Sequence, residues 1–376
     1  MSPRTDIRNG FTRSAATVVM ATAGCALADE ESGYDRFWRH ATLYENADEG
    51  LVRSVALSGR LQAEAMYFDA DQEHFDDSTW RRFRFGFKAK FAGDWVAQLE
   101  GDFDLNESFG DWYTRLTDAY IGWQPDESRD LRILKHSAGF TLDGATSSKK
   151  LLTLQRNNLT NNLWFTAEYF TGISMAGTVD ERWSYKAGVF STDGDEEFSS
   201  FDASYFTLAS LGYDWAQDTG MDKAVVQLDY VHNDKDSENN TRDFSNVVSL
   251  TSQWEKGPWG LWTDLSAGDG YFEQSDVWGV SLMPFYSSSE RIQWVARYTY
   301  IESDDPNGVR LGRYHGEVTV GRGDEYQEIY GGLNVFFYGH KLKWQTGIEY
   351  AEMDDDAADG GNHDGWGIST GLRIYW

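Results

Sequence analysis

The chain ends with the segment Trp366-Gly-Ile-Ser-Thr-Gly-Leu-Arg-Ile-Tyr-Trp376. Successive side chains of a β-strand point to opposite faces. One face of this segment would therefore carry Trp366, Ile368, Thr370, Leu372, Ile374 and Trp376. The other face would carry glycine, serine, arginine and tyrosine. A closing strand with one apolar face and a terminal aromatic residue is typical of a β-barrel that spans an outer membrane, because the apolar face contacts lipid.

Fifteen further segments show the same alternation or a strand-like composition. With the last segment, the predicted strands lie near residues 56–68, 80–91, 95–105, 115–124, 130–138, 168–178, 182–191, 203–214, 223–232, 245–255, 259–268, 277–286, 290–302, 326–338, 341–351 and 366–376. Ten residues at about 3.4 Å each, tilted by about 45°, span roughly 24 Å, which matches the apolar band of such barrels. A soluble all-β protein is the alternative, but its sheets would not need a tryptophan or tyrosine at so many strand ends.

The connections between these segments alternate between short and long. Tight turns are predicted at Gly93-Asp94, Asp180-Glu181, Gly257-Pro258 and Gly339-His340. Polar loops are predicted at 69–79, 106–114, 139–167, 192–202, 233–244, 269–276, 303–325 and 352–365. We therefore predict an all-β fold, a transmembrane antiparallel β-barrel of the outer-membrane porin type with about 16 strands. The barrel would span residues 51–376, with both of its ends on one side.

The N-terminus has the form of a secretory signal peptide. Three arginines precede a short apolar stretch, and Ala26-Leu-Ala28 fits a cleavage site, so we expect residues 1–28 to be removed. Cys25, the only cysteine, lies in that segment. A lipoprotein attachment site at Cys25 is the competing interpretation. Residues 29–50 are mixed and polar, and we expect an N-terminal periplasmic segment that serves as a plug or a subunit contact.

The chain is strongly acidic, with 61 acidic and 33 basic residues and a net charge of -28. Without the three arginines and one aspartate of the signal peptide, the mature chain would carry -30. Nucleic acids require basic surface, so no nucleic-acid partner is expected. The mean hydropathy is -0.57 and no long apolar run occurs, which excludes an ordinary helical membrane protein. The acidic clusters of the loops are expected to be solvated, or to bind divalent cations that bridge to lipid head groups.

The second predicted strand, Trp80-Arg-Arg-Phe-Arg-Phe-Gly-Phe-Lys-Ala-Lys-Phe91, is the most basic of the barrel. A cation that faces lipid costs about 2–4 kcal/mol at the bilayer midplane, so the phenylalanine face should contact lipid. The lumen would then receive Arg82, Arg84, Lys88 and Lys90. A row of cations along an aqueous wall gives anions successive weak binding sites. The alternative is that these cations neutralise the acidic residues of the third strand, Glu100, Asp102 and Asp104.

The connection at 139–167 is the longest one, and connections of this length are usually functional. We expect it to fold inward and to form the constriction of the barrel. Its segment Thr146-Ser-Ser-Lys-Lys150 places hydroxyl groups beside ammonium groups. This combination suits an oxyanion, because charge attracts the anion and hydroxyl groups donate hydrogen bonds to it.

The chain resembles the phosphate-selective porin family, porins O and P. The similar stretches are Leu131-Arg-Ile-Leu-Lys-His-Ser-Ala-Gly-Phe140, Thr141 to Lys149, Leu154-Gln-Arg-Asn157, Arg81-Arg82, Gly332-Leu-Asn-Val335 and the closing strand. The resemblance implies a sixteen-stranded homotrimeric barrel with an anion site at the constriction. It further implies that Ser147 and Ser148 are ligands, and that Arg81 and Arg82 are the basic pair of the second strand. The family's phosphate porins have a lysine where this chain has Gly144, which leaves phosphate selectivity open.

The sequence therefore predicts an outer-membrane porin for passive diffusion of small hydrophilic solutes, with anions such as phosphate preferred. The anion-binding and pore-lining residues would be Arg81, Arg82, Arg84, Lys88, Lys90, Ser147, Ser148 and Lys149. One alternative is a general or cation-preferring diffusion porin, and another is an outer-membrane barrel hydrolase or adhesin. The seven histidines show no nucleophile-and-base or zinc pattern, so no enzyme, metal site or cofactor is expected. The expected surroundings are the outer-membrane lipids of a Gram-negative bacterium.

Overall fold

The computed structural model describes residues 32–46, 50–165, 168–193 and 197–376. The signal peptide predicted at residues 1–28 lies outside these residues and stays a prediction. Within the described part of the chain, no helix has the length and apolar character needed to cross a bilayer.

Most of the described chain is β-strand. The strands are β1 Thr42–Glu45, β2 Val52–Ala70, β3 His74–Phe91, β4 Trp95–Phe103, β5 Tyr113–Asp126, β6 Arg129–Ser137, β7 Tyr169–Val179, β8 Trp183–Ser191, β9 Tyr205–Asp214, β10 Lys223–Asn233, β11 Phe244–Lys256, β12 Trp259–Gly270, β13 Val277–Ser289, β14 Ile292–Ser303, β15 Val309–Arg310, β16 Arg322–Gly323, β17 Glu325–Tyr338, β18 Leu342–Asp354 and β19 His363–Tyr375. Short α-helices lie between them, namely α1 Gly33–Arg39, α2 Leu142–Ala145, α3 Asn158–Leu163, α4 Ala216–Thr219 and α5 His315–Val318.

Sixteen of these strands form a closed antiparallel barrel. Each barrel strand pairs with the next one along the chain, and β19 returns to pair with β2 from Gly365 opposite Ala70 to Tyr375 opposite Arg60. β1 lies beside the start of β2, and β15 and β16 form a separate small hairpin. The sixteen predicted strands correspond one to one to the barrel strands, so the predicted fold is confirmed. β2 and β3 extend farther than predicted, and the loop expected at 69–79 is reduced to residues 71–73.

The closing strand β19 shows the predicted alternation of faces. Trp366, Ile368 and Leu372 are exposed on the outside, whereas Ser369 and Arg373 are buried on the inside. Tryptophans recur on the outer surface where strands begin: Trp95, Trp183 and Trp259 follow short turns, and Trp278 and Trp366 follow long loops. Two aromatic girdles with apolar side chains between them match the two interfaces of a bilayer.

The connection between β6 and β7 packs inside the barrel, and part of the lumen is consequently a dry core. Phe140, Leu159, Leu163 and Phe165 of this connection are buried. They contact inward side chains of the barrel wall that include Phe170, Phe190, Phe206, Val231, Phe244 and Ile301. This apolar cluster was not predicted from the sequence. Burial of these side chains away from water favours the inward position of the connection.

The N-terminal segment packs where the barrel closes. The indole nitrogen of Trp38, in α1, donates a hydrogen bond of 2.6 Å to the carbonyl oxygen of Tyr375. The carbonyl oxygen of Ala41 accepts a 2.7 Å bond from the amide of Leu57 in β2. The segment thus contacts the first and last strands of the barrel, and Tyr34 and Trp38 also pack against Tyr338 at the end of β17.

Candidate functional site

A β-bulge at Arg81 brings two neighbouring arginines into the lumen. In the pairing of β2 with β3, Gln62 lies opposite Arg82 and Ala63 lies opposite Trp80, so Arg81 has no partner residue. An extra residue in one strand shifts the alternation of faces by one position. Trp80 is therefore exposed on the outside, and the charged groups that act on Arg81 are those of the lumen. Strict alternation would have pointed Arg81 at lipid.

Six arginine side chains gather between the inward connection and the wall formed by β2, β3 and β19. We call this set the arginine cluster: Arg60, Arg81, Arg82, Arg84, Arg156 and Arg373. Guanidinium groups keep their charge in proteins, so the cluster is a concentrated positive region. Within the described residues, four of its Nε atoms are buried without a hydrogen-bond partner, namely those of Arg60, Arg81, Arg84 and Arg373. Buried donors of this kind require an explanation, and an anion is the natural partner for them.

Four carboxylates neutralise part of the arginine cluster. Arg373 pairs with Glu64 at 2.8 Å and Arg60 pairs with Glu100 at 3.5 Å. Arg84 pairs with Asp102 at 3.2 Å and with Glu168 at 3.4 Å, and Arg156 pairs with Glu168 at 3.3 Å. Cross-strand neutralisation, the alternative that the sequence offers for the cations of β3, therefore holds for Arg84. Six guanidinium groups therefore face four carboxylates in direct ion pairs, while Asp118 and Asp143 act on the cluster without pairing with it.

The serine and lysine residues proposed as ligands occupy different environments. The hydroxyl of Ser148 is buried and accepts a 2.7 Å hydrogen bond from Arg60. Ser147 is exposed. Lys149 is half-buried, with its ammonium group 5.1 Å from the ring centre of Tyr375. Burial, and then the nearby charge of Arg60, lower the pKa of Lys149 to about 8.

Lys88 and Lys90 lie on the same inward face of β3 as Arg82, but closer to the short turn at 92–94. Six residues of strand separate Lys88 from Arg82, which corresponds to about 20 Å. Among the described residues, neither lysine forms an ion pair. The structure therefore brings Arg81, Arg82, Arg84 and Ser148 together, and it separates the two lysines of β3 from them.

The inward connection is fastened to the barrel wall around the lumen. The amides of Thr141 and Leu142 donate 3.0 Å hydrogen bonds to the carboxylates of Asp229 and Asp264. On other strands, Lys343 donates to the carbonyl oxygen of Leu151 at 2.7 Å, and Arg297 donates to the hydroxyl of Thr153 at 2.9 Å. A connection held on several sides forms a fixed constriction rather than a free loop.

A second connection, between β14 and β17, also reaches the cluster. The hydroxyl of Tyr314 donates a 2.5 Å hydrogen bond to Glu64, and Arg313 is among the charges that act on Arg81. The next residue, His315, shares a 2.8 Å hydrogen bond with His363 of β19. The sequence predicts this connection as a polar loop at 303–325 and does not mark it as part of the site.

The family model of phosphate-selective porins O and P matches residues 55–259. The chain belongs to this family. No curated protein sequence matches the chain. The family and the function class predicted from the sequence are thus confirmed, and the chain is a porin with an outer-membrane location.

Solved porin structures share the fold at low sequence identity. An anion-selective porin from Comamonas acidovorans is 12% identical, with a TM-score of 0.62 over 86% of this chain and 99% of that one. The outer-membrane channel DcaP of Acinetobacter baumannii is 11% identical, with a TM-score of 0.57 over 89% and 99%. Salmonella typhi OmpF, in a complex with daunomycin, is 11% identical, with a TM-score of 0.60 over 89% and 100%.

The resemblance implies a lysine at the position of Gly144, and the structure shows which side chains lie beside that position. A Cβ atom on Gly144 would lie 2.8 Å from the hydroxyl of Thr141 and 3.2 Å from the indole ring of Trp164. The guanidinium group of Arg156 lies 4.5 Å from the centre of the same indole ring and donates a 2.8 Å bond to the carbonyl oxygen of Asp143. Arg156 therefore supplies a cation beside this position. Arg156 is not among the anion-binding residues predicted from the sequence.

Proposed function

We propose that this porin conducts small hydrophilic solutes by passive diffusion and prefers anions, with phosphate bound at the arginine cluster. The observation that supports the proposal is the cluster itself. It holds six guanidinium groups against four carboxylates, and four of its donor atoms have no partner among the described residues. Arginine donors match phosphate oxygens in geometry and charge.

The proposal gives the candidate residues different roles. Arg81 and Arg82 would contact the anion, because they lie in the lumen without an ion pair to a described residue. Arg84 and Ser148 would shape the site through their internal partners. Lys88, Lys90 and Lys149 would add positive potential along the path, and Ser147 would offer a hydroxyl. Successive weak sites of this kind let an anion enter and leave.

We further propose that the porin forms homotrimers in the outer membrane of a Gram-negative bacterium and carries no enzymatic activity. Family membership supports the porin function, and the two girdles of exposed aromatic residues support contact with outer-membrane lipid. Cross-linking of the purified porin, followed by electrophoresis without heating, tests the trimer. A single monomeric species would contradict it.

A general or cation-preferring pore is the second candidate, and the acidic loops favour it. The connection that joins β18 to β19 contains Asp355, Asp356 and Asp359 in a short stretch. Carboxylates at the mouth of a pore attract cations and repel anions. The two candidates therefore place the decisive charges at different depths.

A reversal potential across a salt gradient decides between them. The purified porin is reconstituted in a planar bilayer, and inorganic phosphate is added as a competitor of chloride. Chloride preference that phosphate blocks is the expected result, and Arg82→Ala should weaken the block. Arg291→Ala, in an exposed turn, is the matched control and should behave like the wild type. Cation preference without a phosphate effect would contradict the proposal.

A further inference from the structure

Glu168 lies at the end of the inward connection, immediately before β7, and its carboxylate stands between two arginines. One carboxylate oxygen is 3.4 Å from a terminal nitrogen of Arg84, and the other is 3.3 Å from a terminal nitrogen of Arg156. All three side chains are largely buried. Glu168 therefore bridges a barrel strand and the constriction.

Glu168 also faces Arg82, which has no ion pair to a described residue and a single hydrogen-bond partner among them. Arg82 forms one hydrogen bond, of 3.2 Å, to the amide oxygen of Gln62. Of the four charged groups that act most strongly on Arg82, three are Arg81, Arg84 and Arg156, and Glu168 is the one carboxylate. The negative charge of Glu168 thus lies in the middle of a set of guanidinium groups.

The Glu168 carboxylate is ionised in this environment. Burial alone would raise the pKa of Glu168, but Arg156, Arg84 and Arg82 act in the opposite direction and hold it well below its usual range. A carboxylate and a phosphate present similar oxygen atoms to a guanidinium group, and both accept paired hydrogen bonds from it. Glu168 consequently occupies the kind of position that an incoming oxyanion would take.

We infer that Glu168 is a tethered counter-ion that competes with the permeating anion for Arg82, Arg84 and Arg156. The inference rests on the proposed anion preference and adds the residue that sets its strength. Without Glu168 the buried guanidinium groups would hold an anion tightly and slow its release. With Glu168 in place, an anion must displace or tolerate a like charge. Like charges next to one another oppose binding strongly. Glu168 therefore keeps binding weak enough for passage.

The test is the phosphate concentration that halves the chloride current of single pores in a planar bilayer. Glu168→Gln keeps the shape of the side chain and removes the charge. We expect the half-blocking concentration to fall by at least about tenfold, because a like charge is lost from the site. Glu328→Gln is the matched control. Glu328 forms a buried pair of 2.7 Å with Arg297 elsewhere in the lumen. The phosphate concentration that halves the current of this variant should therefore stay near that of the wild type.

A second measurement covers the case in which Glu168→Gln folds poorly. An anion that binds only the folded state stabilises it. Phosphate should therefore raise the unfolding temperature of the detergent-solubilised variant more than that of the wild type. Glu168→Asp withdraws the carboxylate by one methylene group and should lower the half-blocking concentration in the same direction by a smaller factor.

The outcomes separate this inference from the proposed function. A wild-type pore without anion preference or phosphate block would overturn both together. A wild-type pore that phosphate blocks, with an unchanged or higher half-blocking concentration in both Glu168 variants, would overturn the inference and leave the proposed function standing. An equal decrease of the half-blocking concentration in Glu328→Gln and in Glu168→Gln would also overturn the inference. The effect would then come from the charge of the lumen in general.

Discussion

The guanidinium group of Arg60 donates a 2.7 Å hydrogen bond to the hydroxyl oxygen of Ser148, and both side chains are buried. Arg60 belongs to barrel strand β2, whereas Ser148 belongs to the inward connection. The bond therefore fixes the constriction against the wall at the edge of the arginine cluster. Because a hydroxyl can accept and donate at once, Ser148 still has its proton to offer to an anion.

We predict that Ser148→Ala destabilises the barrel. The substitution leaves a buried guanidinium donor without its acceptor, which costs about 1–3 kcal/mol. Unfolding of the detergent-solubilised porin in denaturant measures the loss. Ser147→Ala is the control, because Ser147 is exposed and its loss should stay within about 0.5 kcal/mol. Equal stability of the two variants would mean that the Arg60 bond does not hold the constriction.

We predict that the anion preference of the pore weakens as the pH rises from 7 to 9. The pKa of Lys149 is lowered to about 8, chiefly by burial. An amine is charged below its pKa and neutral above it, so Lys149 loses roughly four fifths of a unit positive charge over this range. Reversal potentials at a fixed salt gradient follow the change.

Lys149→Arg provides the control for this pH dependence. A guanidinium group keeps its charge at pH 9, so the variant should hold its anion preference across the range. The same decline in Lys149→Arg and in the wild type would assign the effect to another group.

The barrel was predictable from the sequence because the bilayer imposes one simple pattern on every strand. In β19 the apolar residues Trp366, Ile368 and Leu372 alternate with small or polar ones, and the structure places them as that period requires. Polar or charged side chains that contact lipid destabilise the barrel, so the alternation is strict and can be recognised in the sequence. The sixteen strands and the tight turns follow from the same constraint.

The candidate site was predictable only in part, because its geometry depends on contacts between distant segments. The bulge at Arg81 is set by the pairing of β2 with β3, and no local signal in the sequence marks it. Glu168 meets Arg84 across 84 residues of chain. The apolar cluster around Phe140 was not predicted, because its members come from the inward connection and from strands far apart in the sequence. Such contacts need the closed barrel before they can be seen.

We predict that Asp264→Ala loosens the constriction. The carboxylate of Asp264 accepts a 3.0 Å bond from the amide of Leu142, and the substitution leaves that buried amide unpaired. A buried unsatisfied donor costs about 1–3 kcal/mol, so the inward connection should move more often. Single-channel records should show a higher conductance or added current noise.

Asp126→Ala is the control for the constriction, because Asp126 is the exposed last residue of β5 and pairs with the exposed Arg129. Its single-channel record should match that of the wild type. Wild-type conductance and noise in Asp264→Ala would show that the remaining contacts of the connection suffice to fix it.

We predict that the anion preference persists, or increases, when the salt concentration is raised from 0.1 to 1 M. The screening length falls from about 10 Å to about 3 Å over this range, and exposed charges are screened more than buried ones. The acidic loops are exposed, whereas the arginine cluster is buried or half-buried inside the barrel. Salt should therefore remove the repulsion of anions at the mouth before it weakens the cluster. Reversal potentials at equal concentration ratios, measured at low and high mean salt, test this order.

A double variant, Glu238→Gln with Glu273→Gln, removes two exposed loop charges. It should already show at low salt part of the increase in anion preference that the wild type shows at high salt. An anion preference that disappears at 1 M salt would place the selective charges at the surface instead of at the constriction.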